Sequence, residues 1–387
     1  MTGTVQAENS TPLLSSRIYH RLAHLQPDID AGRFMDARRQ IEELLPTTRD
    51  SNQYDHAVLL QLLGQVQIRL DRPELAIVAW EEAATLNGLP DGDALHLKRE
   101  LAQLYVRQAR YEDAIRLLEQ VPELDRQARL LLAQSHLQLA RYRDALGPLT
   151  ELIQASEQAD KSLYEALFFA QHSLGQTAAA AATLQRLIEF DPHALVYWRQ
   201  LAALHHEHDN TDHALAVLES AYHQGVLDGS VNDLLTLVSL YRNEGAPYKA
   251  AVLLERQLDE RQLEDRIALR EQLVDLWLSA SETARAIKTL EQLIARSPSP
   301  ERWLRLGQLH IEQRQWTAAA EALASATKAD AENLTTRQLA EAWLWLGIVY
   351  VESGRQQDAL AAFRRSERFV LTRRAAQQWL RYLESIW

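Results

Sequence analysis

The densest group of potential metal ligands in the sequence is the run HHEHD from His205 to Asp209, with His213 close behind it. Imidazoles and carboxylates so close together have the chemistry to hold a zinc ion. On a helix, however, His205 and His208 share a face while His206 points elsewhere, and the HExxH spacing of zinc proteases is absent. We therefore interpret these side chains as packed or solvated histidines and predict no metal site.

Adjacent carboxylates are a second candidate, because paired acids can serve as general acid and general base. They occur at positions 42–43, 81–82 and 259–260, on the polar sides or at the ends of predicted amphipathic helices. The sequence has no GxSxG stretch, no phosphate-binding loop, no GxGxxG stretch and no cysteine. We predict that the protein is not an enzyme and holds no cofactor.

A repeat of about 34 residues positions these side chains. Each copy has an anchor alanine early in its second helix, and a large apolar residue follows four positions later. The anchors are Ala37, Ala76, Ala114, Ala145, Ala180, Ala214, Ala250, Ala286, Ala319 and Ala359. The residues four positions later are Ile41, Trp80, Leu118, Leu149, Leu184, Leu218, Leu254, Leu290, Leu323 and Phe363. This spacing places both sets on one helix face, which must be buried.

A first helix precedes each second helix. Thirteen residues before nine of the anchors there is a leucine, and glycine or alanine follows it in six of these nine copies. A small side chain at this point lets the two helices of a pair approach closely. The leucines are Leu63, Leu101, Leu132, Leu167, Leu201, Leu237, Leu273, Leu306 and Leu346. No stretch alternates with a period of two, so the predicted fold is all-α.

The strongest copy of the repeat is the stretch WLWLGIVY from Trp343 to Tyr350, followed by Gly354, Ala359 and Phe363. Its spacing, W-x2-L-G-x2-Y, resembles that of the tetratricopeptide repeat family. The resemblance implies a right-handed superhelical α-solenoid of about ten helix pairs, in which each pair buries its apolar face against the next.

The boundaries of this predicted solenoid follow from where the helical pattern begins and ends. Residues 1–13 lack the pattern and are expected to be disordered, whereas residues 14–371 are expected to form one continuous solenoid. Residues 372–387 form a further amphipathic segment, which we predict to be a helix that caps the last pair.

The charge balance bears on the class of partner. The 387 residues include 41 basic and 53 acidic side chains, for a net charge of −12. Binding to nucleic acid needs a concentrated cationic surface, so we expect no nucleic-acid partner. No apolar stretch of about 18 residues occurs, and we expect no membrane insertion. A protein partner fits this composition.

In the tetratricopeptide family, a concave groove formed by the first helices faces the partner. The resemblance places polar and locally basic residues there, which suits an extended peptide with carboxylates or an exposed backbone. The predicted groove residues are Gln65, Arg69, Arg99, Gln103, Arg107, Gln134, Phe169, Arg199, His206, Ser239, Arg242 and Gln308. The alternative is that these are only solvent-tolerant positions. Trp345 and Trp387 are not explained by the repeat and are further candidates for exposed contacts.

Two stretches have a narrower resemblance. The run GAPYKAA from Gly245 to Ala251, and the C-terminal stretch 342–383, resemble tetratricopeptide-repeat proteins encoded beside TonB energy-transduction systems in proteobacteria. The resemblance implies a non-catalytic adaptor in the cell envelope, with TonB–ExbB–ExbD type components as partners. The alternatives are an assembly factor for envelope polysaccharide or lipid machinery and a self-associating structural protein.

The compartment is a separate question. Val5-Gln6-Ala7 matches the small-residue pattern of a signal-peptidase site, but no apolar segment precedes it in this sequence. A periplasmic location requires that a signal peptide preceded these residues. The alternative is that the match arises by chance and that the protein is cytoplasmic.

Overall fold

The computed structural model describes residues 13–49, 52–86, 88–156, 160–328 and 334–386. These residues form 21 α-helices and no strand, so the predicted all-α fold is confirmed. The chain divides into two compact units, Met1–Pro192 and His193–Trp387. The predicted disorder of residues 1–13 concerns a segment that lies almost entirely outside the described residues. The prediction of one continuous solenoid over residues 14–371 stays a prediction.

The first unit contains five helix pairs. Their bounds are α1 Ser16–Asp30, α2 Phe34–Thr48, α3 Gln53–Arg69, α4 Pro73–Thr85, α5 Asp91–Arg107, α6 Tyr111–Leu118, α7 Arg126–Gln138, α8 Tyr142–Gln154, α9 Lys161–Ser173 and α10 Thr177–Phe190. Odd-numbered helices are the first helices of their pairs and even-numbered helices are the second.

The second unit contains five more pairs and one additional helix. Their bounds are α11 Leu195–Glu207, α12 Thr211–His223, α13 Val231–Asn243, α14 Pro247–Asp259, α15 Ile267–Ser279, α16 Thr283–Arg296, α17 Pro300–Glu312, α18 Trp316–Lys328, α19 Thr336–Glu352, α20 Gln356–Ser366 and α21 Arg373–Ile386. The described residues thus contain the ten pairs that the sequence predicts.

The turn inside each pair has one geometry. The residue five positions before the anchor alanine has a left-handed backbone with φ between 54° and 74° in all ten pairs. The amide of the next residue donates to a carbonyl five residues back, at 2.7–2.9 Å. This is the Schellman arrangement that ends a helix and satisfies its last carbonyl groups. The left-handed residues are Gly32, Asp71, Ala109, Ala140, Gly175, Asp209, Gly245, Ser281, Arg314 and Gly354.

The core follows the predicted repeat positions. All ten anchor alanines are at most 1% exposed, and the apolar residues four positions later are also buried. Glycine is required in at least three first helices. A Cβ at Gly307 would lie 2.6 Å from Leu323, and one at Gly347 would lie 2.5 Å from Phe363. A Cβ at Gly64 would overlap the indole of Trp80. The predicted close approach of paired helices is therefore confirmed at these positions.

The C-terminal helix α21 covers the last pair. The ring of Trp379 on α21 stacks on Phe363 of α20, with ring centroids 5.6 Å apart and an interplanar angle of 4°. Ala376 and Leu383 of α21 are buried in the same cluster. The predicted capping helix is confirmed. In the described part of the chain, no helix is both long and apolar enough to cross a membrane.

Candidate partner-binding site

A cleft of about 340 Å³ lies between two successive first helices, α11 and α13. We call it the α11–α13 cleft. Two adjacent alanines of α11, Ala202 and Ala203, contribute short side chains to its lining. Leu218 of α12 and Leu240 of α13 are buried and form its apolar base. The cleft therefore has the dimensions and surface for an apolar side chain.

The edge of the cleft contains a paired charge. Arg199 on α11 forms a bidentate pair with Asp233 in the first turn of α13: Nε lies 3.0 Å and 2.9 Å from the two carboxylate oxygens, and Nη2 lies 2.6 Å from Oδ2. The hydroxyl of Ser230 also donates to Asp233. Burial alone would raise the pKa of Asp233, but the hydrogen bonds from Arg199 and Ser230 outweigh it and hold that pKa below its usual value.

This pairing determines what the cleft can bind. Asp233 is neutralised by Arg199 of the preceding repeat, so the edge carries little net charge. The Arg199 side chain nevertheless stays 51% exposed, and a guanidinium has more N–H groups than one carboxylate can accept. His206 and Thr236, both exposed, complete the polar edge. The arrangement suits an apolar side chain in the cleft with a peptide backbone hydrogen-bonded along its edge.

The other predicted groove residues of the second unit lie on first helices but outside this cleft. Ser239 and Arg242 are on α13, Ser239 partly buried and Arg242 exposed, and Gln308 is exposed on α17. Trp345 on α19 is 38% exposed, as expected for a tryptophan that the repeat core does not need. Trp387 lies outside the described residues. The structure thus brings Arg199 and His206 together and leaves the other three apart from them.

In the first unit, the predicted residues also lie on first helices: Gln65 and Arg69 on α3, Arg99, Gln103 and Arg107 on α5, Gln134 on α7 and Phe169 on α9. All are exposed except Arg99 and Gln103, which are partly buried. Their placement on first helices agrees with the register of the repeat. Their assignment to partner binding stays a prediction.

Arg99 is already engaged within the protein. Its Nη1 donates to Asp125 at 2.6 Å, and its Nη2 lies 2.7 Å from His96 Nδ1. Asp125 also accepts from the amide of Ala128 and so caps α7. That backbone bond, together with Arg99, holds the pKa of Asp125 below its usual value despite partial burial. Arg99 therefore links two repeats and has fewer donors left for a partner than the sequence suggested.

Similar links recur in both units. Arg126 donates to Asp160 at 2.8 Å in the first unit, and Arg302 donates to Glu271 at 2.8 Å in the second. Sequence reasoning missed these acidic partners and also missed Ala203 and Thr236, and it gave Ala202 only as the small residue of a first helix. A signal was present, because Arg199 and Asp233 are 34 residues apart, as are Arg126 and Asp160, which is the length of one repeat.

Phe169 is the exposed apolar member of the predicted set. It is 52% exposed and packs edge-on against Tyr142 of α8, with ring centroids 5.5 Å apart and an interplanar angle of 85°. This contact fixes the orientation of an aromatic ring that still presents about half of its surface to solvent. Phe169 therefore presents an ordered apolar surface on a first helix of the first unit.

The histidine cluster packs against itself. The rings of His205 and His213 stack with centroids 5.2 Å apart, and Nδ1 of His208 lies 2.9 Å from the carbonyl of Leu204. Burial, with smaller effects from His213 and His208, lowers the pKa of His205. Across the described ranges, no group of three or more histidine, cysteine or acidic side chains has a geometry suited to a metal ion.

Comparisons with known proteins agree with the repeat. A tetratricopeptide repeat model matches residues 272–333 and 304–378. A model of anaphase-promoting complex, cyclosome, subunit 3, matches residues 76–152. No curated protein matches the chain. Together with the ten helix pairs, the two family matches support the interpretation of the chain as a tetratricopeptide-repeat protein.

Three solved structures are among those similar to the chain. A tetratricopeptide repeat protein from Parabacteroides merdae ATCC 43184 is 16% identical, with a TM-score of 0.37 over 68% of this chain and 100% of that one. YrrB, a tetratricopeptide protein described as having an unusual peptide-binding site, is 16% identical, with a TM-score of 0.35. The match covers 51% of this chain and 98% of YrrB. The Cut9–Hcn1 assembly of the anaphase-promoting complex is 14% identical, with a TM-score of 0.29. The match covers 94% of this chain and 83% of that one.

Proposed function

We propose that this protein is a non-catalytic scaffold that binds an extended segment of a partner protein against its first helices. In this proposal, the α11–α13 cleft receives an apolar side chain of the partner. The observation that carries the proposal is the cleft itself, with its apolar base of Leu218 and Leu240 and its polar edge. A small concave site with few polar groups suits recognition of a peptide side chain.

The charges of the site determine how the segment is held. Arg199 is fixed by Asp233 and still presents N–H groups to solvent, so it can donate to carbonyl oxygens of the bound backbone. An ordered side chain loses little conformational entropy on binding. The first unit, taken by itself, offers Phe169 as an ordered apolar contact, held by Tyr142.

Filling the cleft tests this proposal. Peptides selected from a phage-displayed library against the whole protein are measured by calorimetry with the wild type and with Ala203→Trp. Ala203 is exposed at the cleft surface, so the indole occupies the cleft without entering the core. We expect Ala203→Trp to weaken binding by about tenfold or more, which corresponds to about 1.4 kcal/mol.

The matched control is Ala216→Trp, the same substitution at an exposed position of α12 that does not line the cleft. It leaves binding unchanged if the proposal is correct. Circular dichroism verifies that both variants keep their helical content. Equal affinities of the wild type and both variants, or a library that yields no binder, would overturn the proposal.

We further propose that the partner is a component of a TonB-type energy-transduction system and that binding takes place in the periplasm. The support is the resemblance of the run from Gly245 to Ala251, and of the C-terminal stretch 342–383, to repeat proteins encoded beside such systems. In this role the protein holds a partner segment and carries out no chemistry on it.

Two measurements test this narrower proposal separately. Calorimetry with the purified periplasmic domains of TonB-type and ExbD-type proteins is expected to detect binding that Ala203→Trp weakens and Ala216→Trp leaves intact. Fractionation of cells expressing the gene from its chromosomal start is expected to recover the protein with periplasmic markers. Recovery with cytoplasmic markers, or no binding to either domain, would refute the narrower proposal and leave the scaffold role standing.

A further inference from the structure

A second pocket, of about 400 Å³, lies on the opposite helix layer of the second unit. It opens between two successive second helices, α12 and α14, and we call it the α12–α14 pocket. It shares no lining residue with the α11–α13 cleft. Its apolar surface is largely aromatic, with Tyr222 from α12, Tyr241 from α13 and Tyr248 from α14.

We propose that the α12–α14 pocket is a second binding site, which takes a partner-protein segment with an aromatic side chain next to a carboxylate. The aromatic ring would lie among the three tyrosines, and the carboxylate would meet Lys249 and Arg256 at the pocket edge. This site goes beyond the proposed function, which uses the first-helix face.

The first reason is exposure. Tyr248 and Val252 line the pocket, and they are 46% and 39% exposed to solvent. Tyr248 is held in place, because its ring packs edge-on against buried Trp277 with centroids 5.7 Å apart, and the guanidinium of Arg285 lies over the ring at 5.6 Å. An ordered aromatic ring with an open face is a favourable contact for another aromatic ring.

The second reason is charge. The lining contains two cations, Lys249 and Arg256, and one carboxylate, Glu219. Glu219 is paired within the protein, because its Oε1 accepts from the hydroxyl of Tyr241 at 2.8 Å and from Lys249 at 3.0 Å. Both cation side chains remain 60% exposed.

Arg256 is also partly engaged: it donates to Glu260 at 2.9 Å and to the hydroxyl of Tyr222 at 3.4 Å. An ammonium group has three donors and a guanidinium has five. Lys249 and Arg256 therefore keep donors for a carboxylate from outside, and in the lining these two cations outnumber the one carboxylate.

The third reason is a comparison within the chain. The junction of α4, α5 and α6 has the same buried pair, in which the hydroxyl of Tyr105 donates to Glu81 at 2.5 Å. In the register of the anchor alanines, Ala84, Glu112 and Arg116 occupy the places of Tyr222, Tyr248 and Val252. The repeat can therefore pack this junction without Tyr222, Tyr248 and Val252, so packing alone does not require these side chains.

The test uses the full chain and the probe peptide acetyl-Ser-Asp-Phe-Glu-Gly-amide, followed through the ring signals of carbon-13-labelled tyrosine. We expect the signals of Tyr222, Tyr241 and Tyr248 to shift on titration, with saturation at low-millimolar peptide. A peptide with alanine in place of phenylalanine, and one with lysines in place of both acids, are each expected to bind at least about tenfold more weakly.

Variants locate the site. The charge-reversed double variant Lys249→Glu with Arg256→Glu, and the pocket-filling variant Val252→Trp, each alter exposed positions and are expected to weaken peptide binding about tenfold or more. The matched control Arg116→Glu reverses an exposed charge at the register equivalent of Val252 and is expected to bind normally. Because Val252→Trp keeps both cations, it tests the pocket even if the charge reversal perturbs the fold.

Three results would overturn the proposal. One is the absence of tyrosine shifts at low-millimolar peptide. Another is loss of binding in Ala203→Trp with retention in Val252→Trp, which would assign the peptide to the α11–α13 cleft. The third is equal affinity for free phenylacetate, which would make the pocket a site for small aromatic acids and not for a protein segment. Failure of the first-helix scaffold proposal changes none of these readouts.

Discussion

The same three-residue contact forms at two junctions, with different side chains around it. One junction joins α4, α5 and α6, and the other joins α12, α13 and α14. In the first, Glu81 accepts from Tyr105 at 2.5 Å and from Arg110 at 3.4 Å. In the second, Glu219 accepts from Tyr241 at 2.8 Å and from Lys249 at 3.0 Å. We call these contacts the two glutamate–tyrosine–cation triads.

The cation comes from a different place in each triad. Arg110 lies four residues before its anchor alanine, whereas Lys249 directly precedes its anchor. Each cation also lies over the tyrosine ring, at 4.6 Å for Arg110 and 5.4 Å for Lys249. The arrangement of charges around the buried phenol is thus retained although the cation position is not. The triad thus occurs at two junctions, and different side chains surround it at each.

Removing the tyrosine rings is expected to have the largest effect, and a similar one at both junctions. Tyr105 and Tyr241 are 5% and 6% exposed, so Tyr105→Ala and Tyr241→Ala each leave a cavity and are expected to lower the free energy of unfolding by about 3–5 kcal/mol. Urea denaturation followed by circular dichroism measures the loss. Tyr19→Ala, at a 62% exposed position, serves as the control and changes stability by less than about 0.5 kcal/mol. A large loss at only one junction would contradict their equivalence.

Removing only the hydroxyl groups is expected to have an intermediate effect. Tyr105→Phe and Tyr241→Phe keep the packed ring and lose a hydrogen bond to a carboxylate, so each is expected to cost about 1–2 kcal/mol. The same denaturation experiment measures it. If both phenylalanine variants had the same free energy of unfolding as the wild type, the hydroxyl groups would contribute nothing to stability. The two junctions would then share only the packing of the tyrosine rings.

Alkaline pH tests the same pairs without mutation. Burial, followed by the hydrogen bond to the neighbouring glutamate, raises the pKa of Tyr105 and of Tyr241 above the ordinary value of 10.0. A raised folded-state pKa gives stability that is complete below the ordinary pKa and is lost as pH rises through the folded-state value. We expect stability to fall above about pH 10, less steeply in each phenylalanine variant. A wild-type titration in which all tyrosines ionise together while the protein stays folded would argue against this.

Removing the cations is expected to have the smallest effect on stability and to separate the two junctions by function. The side chains of Arg110 and Lys249 are 37% and 60% exposed, so Arg110→Gln and Lys249→Gln are each expected to cost less than about 1 kcal/mol. Lys249→Gln is expected to weaken binding of the acidic probe peptide, whereas Arg110→Gln is expected to leave the affinity for this peptide unchanged. Equal peptide affinities in both variants would remove the functional distinction between the junctions.

Much of the fold could be predicted because each repeat places the same kind of residue at the same position. Ala286 and Leu290 are buried as expected, and Gly307 and Gly347 lie where the paired helices approach most closely. The turns were less accessible to prediction. Gly175 fits a left-handed helix end, but Ala109, Ala140 and Arg314 adopt the same backbone without the residue type that favours it. The hydrogen bonds and packing of the pair impose this backbone on whichever residue is present.

The candidate sites were only partly accessible from sequence. His206 and Arg199 were found because the repeat register points them away from the core. The pairing of Arg199 with Asp233 was not found, since it joins side chains of two repeats. Tyr222 and Tyr248 were not predicted as site residues, because each looks like an ordinary surface aromatic residue until α12 and α14 are placed side by side.

By itself, the sequence determined the helical repeat, its buried positions and the face that each side chain occupies. Helical periodicity fixes these locally, because a residue's direction depends only on its place along its own helix. Only the tertiary structure decided which charges neutralise one another and where pockets open. Those features depend on distances between side chains of successive repeats, such as Glu219 and Lys249. Such distances are set by how neighbouring helices pack, which the pattern within a single helix does not encode.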